Sequence, residues 1–133
     1  MAYTYRVKCA CGHVMNTNPG GICPKCKMPV QFPQGGQIFL YRKGNFFGAG
    51  GGLSLYVDEA PMGKIGNREL ICIPLPFGTH RLHVAAGFSR KCQDLYVTLT
   101  PEAPIAYAKA WIKVGAFVNS FVIEPSVPSE MPL

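Results

Sequence analysis

Four cysteines near the start of the chain, Cys9, Cys11, Cys23 and Cys26, constrain it more than any other feature. They form a Cys-x-Cys clamp and a Cys-x-x-Cys clamp joined by a loop containing Asn16, Asn18, Pro19, Gly20 and Gly21. Two short clamps on a loop of this size can wrap one tetrahedral ion. Four thiolates complete a zinc coordination shell at bonds of about 2.3 Å and leave no position for water, so such a site is structural. Zn2+ is therefore the expected cofactor. Iron and free or oxidised thiols are the alternatives. Gly12 follows the first clamp, where a tight turn requires positive φ. His13 is expected on the surface.

The 133 residues suffice for one ordinary core and a small appendage. No run of about 18 apolar residues occurs, so no membrane span is expected. The opening residues carry no apolar signal segment, and the expected location is cytoplasmic. A disulfide framework would need an oxidising compartment. Of the two remaining cysteines, Cys72 and Cys92, both are expected to be buried thiols without chemistry.

The formal charge of +6 is unevenly placed. Residues 1–57 hold Arg6, Lys8, Lys25, Lys27, Arg42 and Lys43 and no acid, while the later residues balance to zero. A zinc ion on four thiolates carries about −2, which offsets part of that excess and weakens a charge argument for nucleic acid.

Residues 1–30 read as the cysteine module, entered by a strand in which Tyr3, Tyr5 and Val7 alternate with polar neighbours. Residues 31–37 read as a linker. Residues 38–124 read as short alternating strands: Ile38–Arg42, Leu53–Val57, Glu69–Leu75, His80–Ala86, Leu95–Leu99, Ile105–Val114 and Phe117–Ile123, with a turn at Asp58–Pro61. This pattern predicts an all-β chain, an antiparallel immunoglobulin-like β-sandwich of about seven strands following the small zinc ribbon. Residues 125–133 form a proline-rich tail, expected to be extended, whose apolar end could dock.

Two resemblances rest on these residues. Val7-Lys-Cys-Ala-Cys-Gly12 with Ile22-Cys-Pro-Lys-Cys26 resembles zinc-ribbon modules, which implies Cys9, Cys11, Cys23 and Cys26 as ligands. Ile38–Arg42, Leu55–Asp58, Gly63–Gly66 and Leu75–His80 resemble the bacterial β-sandwich domains known as DUF2846 and the related PEGA-like domains. That family brings no established active site, and implies a binding or structural module.

Catalytic chemistry finds little support. The seven acids are scattered, and no nucleophile motif is present. Gly48–Gly52 leads into a strand without the Gly-Lys-Ser/Thr of a phosphate cradle. His80 and His83 fall on opposite faces of one strand and cannot share an ion. The expected role is thus non-catalytic, with no small-molecule substrate: a protein–protein contact or assembly module. Candidate contact residues are Phe46 and Phe47 in the glycine-rich loop, and Tyr107, Lys109, Trp111 and Lys113 on one face of the Ile105–Val114 strand. Aromatics interleaved with lysines also suit single-stranded nucleic acid. A nucleic-acid-binding ribbon with Arg6, Lys8, Lys25 and Lys27 on phosphates is the first alternative; a metal-dependent enzyme or redox protein is the second.

Overall fold

A computed structural model describes residues 3–43, 52–85, 94–113 and 120–132, with only the backbone of Ile112, Lys113 and Ser120. Phe46, Phe47 and Cys92, and the side chain of Lys113, lie outside the described residues.

The described chain is nearly all β. Its strands are β1 (Thr4–Lys8), β2 (Val14–Asn16), β3 (Gly35–Arg42), β4 (Leu53–Val57), β5 (Ala60–Ile65), β6 (Leu70–Pro76), β7 (Gly78–Ala85), β8 (Asp94–Leu99), β9 (Ile105–Lys113) and β10 (Ser120–Pro125). One sheet runs β10-β9-β3-β6-β1-β2 and the other β5-β4-β7-β8. The strand count exceeds the expected seven because β5 is paired despite Pro61 and Gly63, and because β1 and β2 join the larger sheet. β3 starts at Gly35, inside the stretch expected to be linker. Two pairings are parallel, β1 with β6 and β3 with β9, so the sandwich is antiparallel-rich rather than wholly antiparallel.

Alternation explains the packing. Ile38 and Leu40 of β3, Ile71 and Ile73 of β6, Ala108 and Ala110 of β9, and Phe121 and Ile123 of β10 point inward from the larger sheet. They meet Leu53, Leu55 and Val57 of β4, Met62 and Ile65 of β5, Leu82 and Val84 of β7, and Leu99 of β8. Face-to-face sheets interdigitate in this way to form a single core. The small alanines of β9 let the layers approach at that strand.

The opposite face of the larger sheet is aromatic. Phe39 stacks on Tyr107 with ring centroids 5.4 Å apart and meets Tyr3 edge-on at 5.0 Å. Leu70, Cys72 and Met131 complete this second cluster. The tail therefore docks by its apolar end, through the buried Met131, and takes a short 3-10 turn at Pro128–Glu130 where an extended run was expected. Cys72 is fully buried, as expected, and burial pushes its thiol up to about 12.

β1 is covered on both faces. Tyr5 joins the aromatic layer, and Arg6 on the opposite side is 5 % exposed. Nη1 of Arg6 donates to the carbonyls of Met62 (3.0 Å) and Lys64 (2.9 Å), and Nη2 faces Glu69 at 3.4 Å. Nε donates to Asn16 of β2. Gly63, at φ +80°, lets the β5 backbone come close enough, since a Cβ there would sit 3.1 Å from Arg6 Nη1. An Arg6→Ala change strands two carbonyls and a carboxylate. It is expected to cost about 2–4 kcal/mol in urea unfolding.

The β4–β5 hairpin turns through Asp58 (φ 50°) and Glu59 (φ 70°), both left-handed, the geometry of a tight two-residue loop. Asp58 repays this conformation: Oδ1 accepts the Arg81 N–H at 2.9 Å and Oδ2 lies 2.7 Å from Nδ1 of the buried His80. The other ring nitrogen of His80 donates to the Pro76 carbonyl at 2.7 Å. Burial alone would raise the Asp58 carboxyl. The His80 and Arg81 hydrogen bonds and the charges of both side chains outweigh it, holding the carboxyl below its ordinary range. A carboxyl depressed on folding adds stability above its unfolded value of about 3.9, and that stability is lost as pH falls through the lower folded value. The melting temperature should therefore drop more steeply from about pH 5 to about pH 3 in the parent than in Asp58→Asn.

Candidate metal centre

Two backbone knuckles present the thiols. In the first, the Cys9 N–H donates to the His13 carbonyl and the Gly12 N–H to the Cys9 carbonyl, both at 2.8 Å, with Gly12 at φ +95° as its position after the clamp predicts. In the second, the Cys23 N–H donates to the Met28 carbonyl at 2.9 Å and the Lys27 N–H to the Cys23 carbonyl at 2.8 Å. Lys27 takes the left-handed conformation there, at φ 66°. An isolated bridge between Ile22 and Pro29 closes the base of this second turn.

The knuckles bring Cys9, Cys11, Cys23 and Cys26 together, with all four Sγ atoms within 4.8 Å of one another. Cys9 and Cys26 lie 3.4 Å apart, and Cys11 and Cys23 lie 3.7 Å apart. A tetrahedral ion with metal–sulfur bonds of about 2.3 Å sets its sulfurs about 3.8 Å apart, so the donor set fits. Both distances are far longer than the roughly 2.05 Å of a disulfide. His13 does not belong to the cluster. All four residues named from the sequence are thus brought to one place, and they could hold a metal ion.

The thiols are electrostatically unequal. Burial raises the Cys23 thiol, but backbone N–H groups of Cys26 and Lys25 and the Cys11 and Cys26 thiols outweigh it, drawing it down to about 7. Cys26 receives help from the Met28 N–H, yet the neighbouring thiols of Cys9, Cys23 and Cys11, together with burial, push it up to about 12. Four thiols this close resist ionising together unless a cation shares their charge. The apolar support around them is slight: Val7 and Val30 are buried beside Cys9 and Cys23, with Met15, Cys26 and Phe32 partly buried against them. A cluster this small would gain much of its order from a bound ion.

The remaining candidates separate by environment. Tyr107 is half-buried in the chain's own aromatic layer. Lys109 is paired with Glu124 at 3.5 Å and with Glu130 of the tail, which raises the lysine and lowers Glu130. Trp111 is half-buried, with the Lys43 ammonium 4.3 Å from its ring centroid. Arg6, read from the sequence as a phosphate contact, is instead withdrawn into the sheet junction. Lys8, Lys25 and Lys27 remain exposed.

Sequence reasoning missed the surface beside the thiols. Met28 and Ile22 are 62 % and 59 % exposed at the second knuckle. A cleft of about 930 Å³ runs along Lys8, Ala10, Met28, Pro29, Phe32 and Pro33. The signal was present in Ile22 and Met28, which flank a clamp too short to bury them.

No family model, curated protein or solved structure matches the chain. The likeness to zinc ribbons and to the DUF2846 and PEGA-like domains gains no support from them. The cysteine cluster and the β-sandwich stand on the geometry alone.

The spacing of the thiols makes a specific forecast. When metal-free protein is oxidised with peroxide, peptide mapping should find Cys9 linked to Cys26 and Cys11 to Cys23. Linkages within a clamp would show that the order of sulfur distances does not govern pairing.

Proposed function

We propose that the four thiolates hold one Zn2+ and that the chain acts as a non-catalytic protein-contact module. The observation that carries this reading is the open cleft that Cys9, Cys11 and Cys26 share with the exposed Met28 of the second knuckle, a knuckle on which Ile22 is exposed as well. A closed tetrathiolate supplies no site for a reacting water, so the metal's contribution is to fix the shape of the knuckles. Zinc is favoured over other first-row ions by an all-sulfur tetrahedral set, with iron the other ion that such a set accepts. Exposed apolar patches with polar neighbours are a recurring mark of protein contact surfaces. The reading suits a reducing compartment such as the cytoplasm, where the thiolates remain available.

The nucleic-acid reading keeps Lys8, Lys25 and Lys27 as supports. It loses Arg6 to the sheet junction and Lys109 to its two glutamates.

Metal analysis of reduced protein should find one zinc per chain in the parent and almost none in Cys23→Ser. A photocrosslinker at Met28 should capture protein, and capture should fail once zinc is stripped. RNA or DNA in those adducts, with retention lost steeply as salt rises, would favour the nucleic-acid reading instead.

A further inference from the structure

Among the described residues the two sheets end in four edges, β10 and β2 on one and β5 and β8 on the other. Three of these edges carry features that discourage pairing with another chain. β2 is only three residues long. β5 contains Pro61, the left-handed Gly63 and the exposed Lys64, and its ladder with β4 slips register between Ser54 and Tyr56. β10 closes on Glu124 and Pro125. Short length, proline, kinks, bulges and charge are the devices by which natural sheets guard their edges.

β8 has almost none of them. It reads Asp-Leu-Tyr-Val-Thr-Leu, a run rich in β-branched and aromatic residues. Its single charge is turned back onto β7: Asp94 pairs with His83 through Oδ1 and faces Arg81 Nε at 3.9 Å through Oδ2. Among the described residues its ladder runs only to β7, and no other backbone hydrogen bond reaches it. Tyr96, at its centre, is 66 % exposed, the highest value among the exposed large apolar side chains described.

We propose that β8 pairs antiparallel with β8 of a second copy of this chain, about a two-fold axis at Tyr96 that keeps outward residues opposite outward ones. The two smaller sheets then become one continuous sheet. The charge pattern selects a second copy as the occupant. With Tyr96 opposite Tyr96 of the second copy, Asp94 faces Thr98 and the two Asp94 side chains lie about 14 Å apart along the strands. That exceeds the screening length of about 8 Å at physiological ionic strength. No like charges face each other: Tyr96 faces Tyr96 on the outer side of the sheet and Leu95 faces Val97 on the inner side. An aromatic opposite an aromatic or a β-branched residue is a favourable cross-strand pair. The arrangement is isologous, so it closes at two copies and leaves β10 and both cysteine modules free. This deepens the protein-contact reading by naming one partner, and it engages a surface separate from the zinc knuckles.

Sedimentation equilibrium of the zinc-loaded full chain, from about 1 μM to about 1 mM, tests it. The expected result is a reversible passage from 14.5 kDa to twice that mass. Tyr96→Lys, which sets two ammonium groups close together across the new ladder, should raise the midpoint concentration at least tenfold. Its zinc content should match the parent's, and so should its melting temperature at about 1 μM where both are monomeric, because Tyr96 projects into solvent. Amide exchange in Leu95–Leu99 should slow with rising concentration, while exchange in β10 should not. A mass of 14.5 kDa throughout, or a Tyr96→Lys dimer as tight as the parent's, would overturn the proposal. Either result would leave the zinc content and the Met28 crosslinks, and so the underlying reading, untouched.

Discussion

The guanidinium of Arg6 sits where three parts of the molecule meet. It reaches β2 through Asn16, the smaller sheet through the Met62 and Lys64 carbonyls, and the turn before β6 through Glu69. A planar group with five donors can satisfy such divergent acceptors, and a lysine could not. Burial tends to lower the pKa of this group, and the nearby Glu69 charge works in the opposite direction, so its carboxylate partner helps keep the charge in place. Without that charge, β1 would present an unpaired polar stripe to β5. The position of the thiol cluster relative to the sandwich depends on this contact, because β1 leads directly into the first knuckle.

Charge is distributed differently once the structure is known. The N-terminal excess seen in the sequence is divided among Arg6, committed to the junction, Arg42, buried and donating to the Ile65 carbonyl, Lys43, set over the Trp111 ring, and the exposed lysines around the knuckles. A bound zinc tetrathiolate would offset part of what remains. The described surface thus offers less positive charge than the composition suggests, which supports the protein-contact reading proposed above over the nucleic-acid one.

The thiol quartet was legible because metal ligation needs particular atoms at particular spacings, and spacing is a property of sequence. The inward residues of β3, β4, β7 and β8 were legible for a related reason: alternation survives wherever one face is buried. Arg6 was not legible, because its alternation with Tyr5 and Val7 is the same for a solvent-facing and a junction-facing side chain. Nor was β5, whose Pro61 and Gly63 resemble turn residues yet sit on an edge strand where a missing donor is tolerated. The face of Tyr107 and Lys109 read as open because its covering comes from the tail, through Met131 and Glu130. Only tertiary structure brings that segment there.

The parallel pairing of Tyr5 with Cys72 has a consequence for how the chain acquires its shape. The cysteine knuckles are synthesised before β6, and their four thiols come together through local contacts alone. The strand that leads into them cannot take its place until β6 has been synthesised and aligned. Closing so long a loop is costly before its contacts are in place, and pairings of this kind are slow steps in folding. An ion held by the proposed metal site could thus be bound locally before the sandwich draws the knuckles into place.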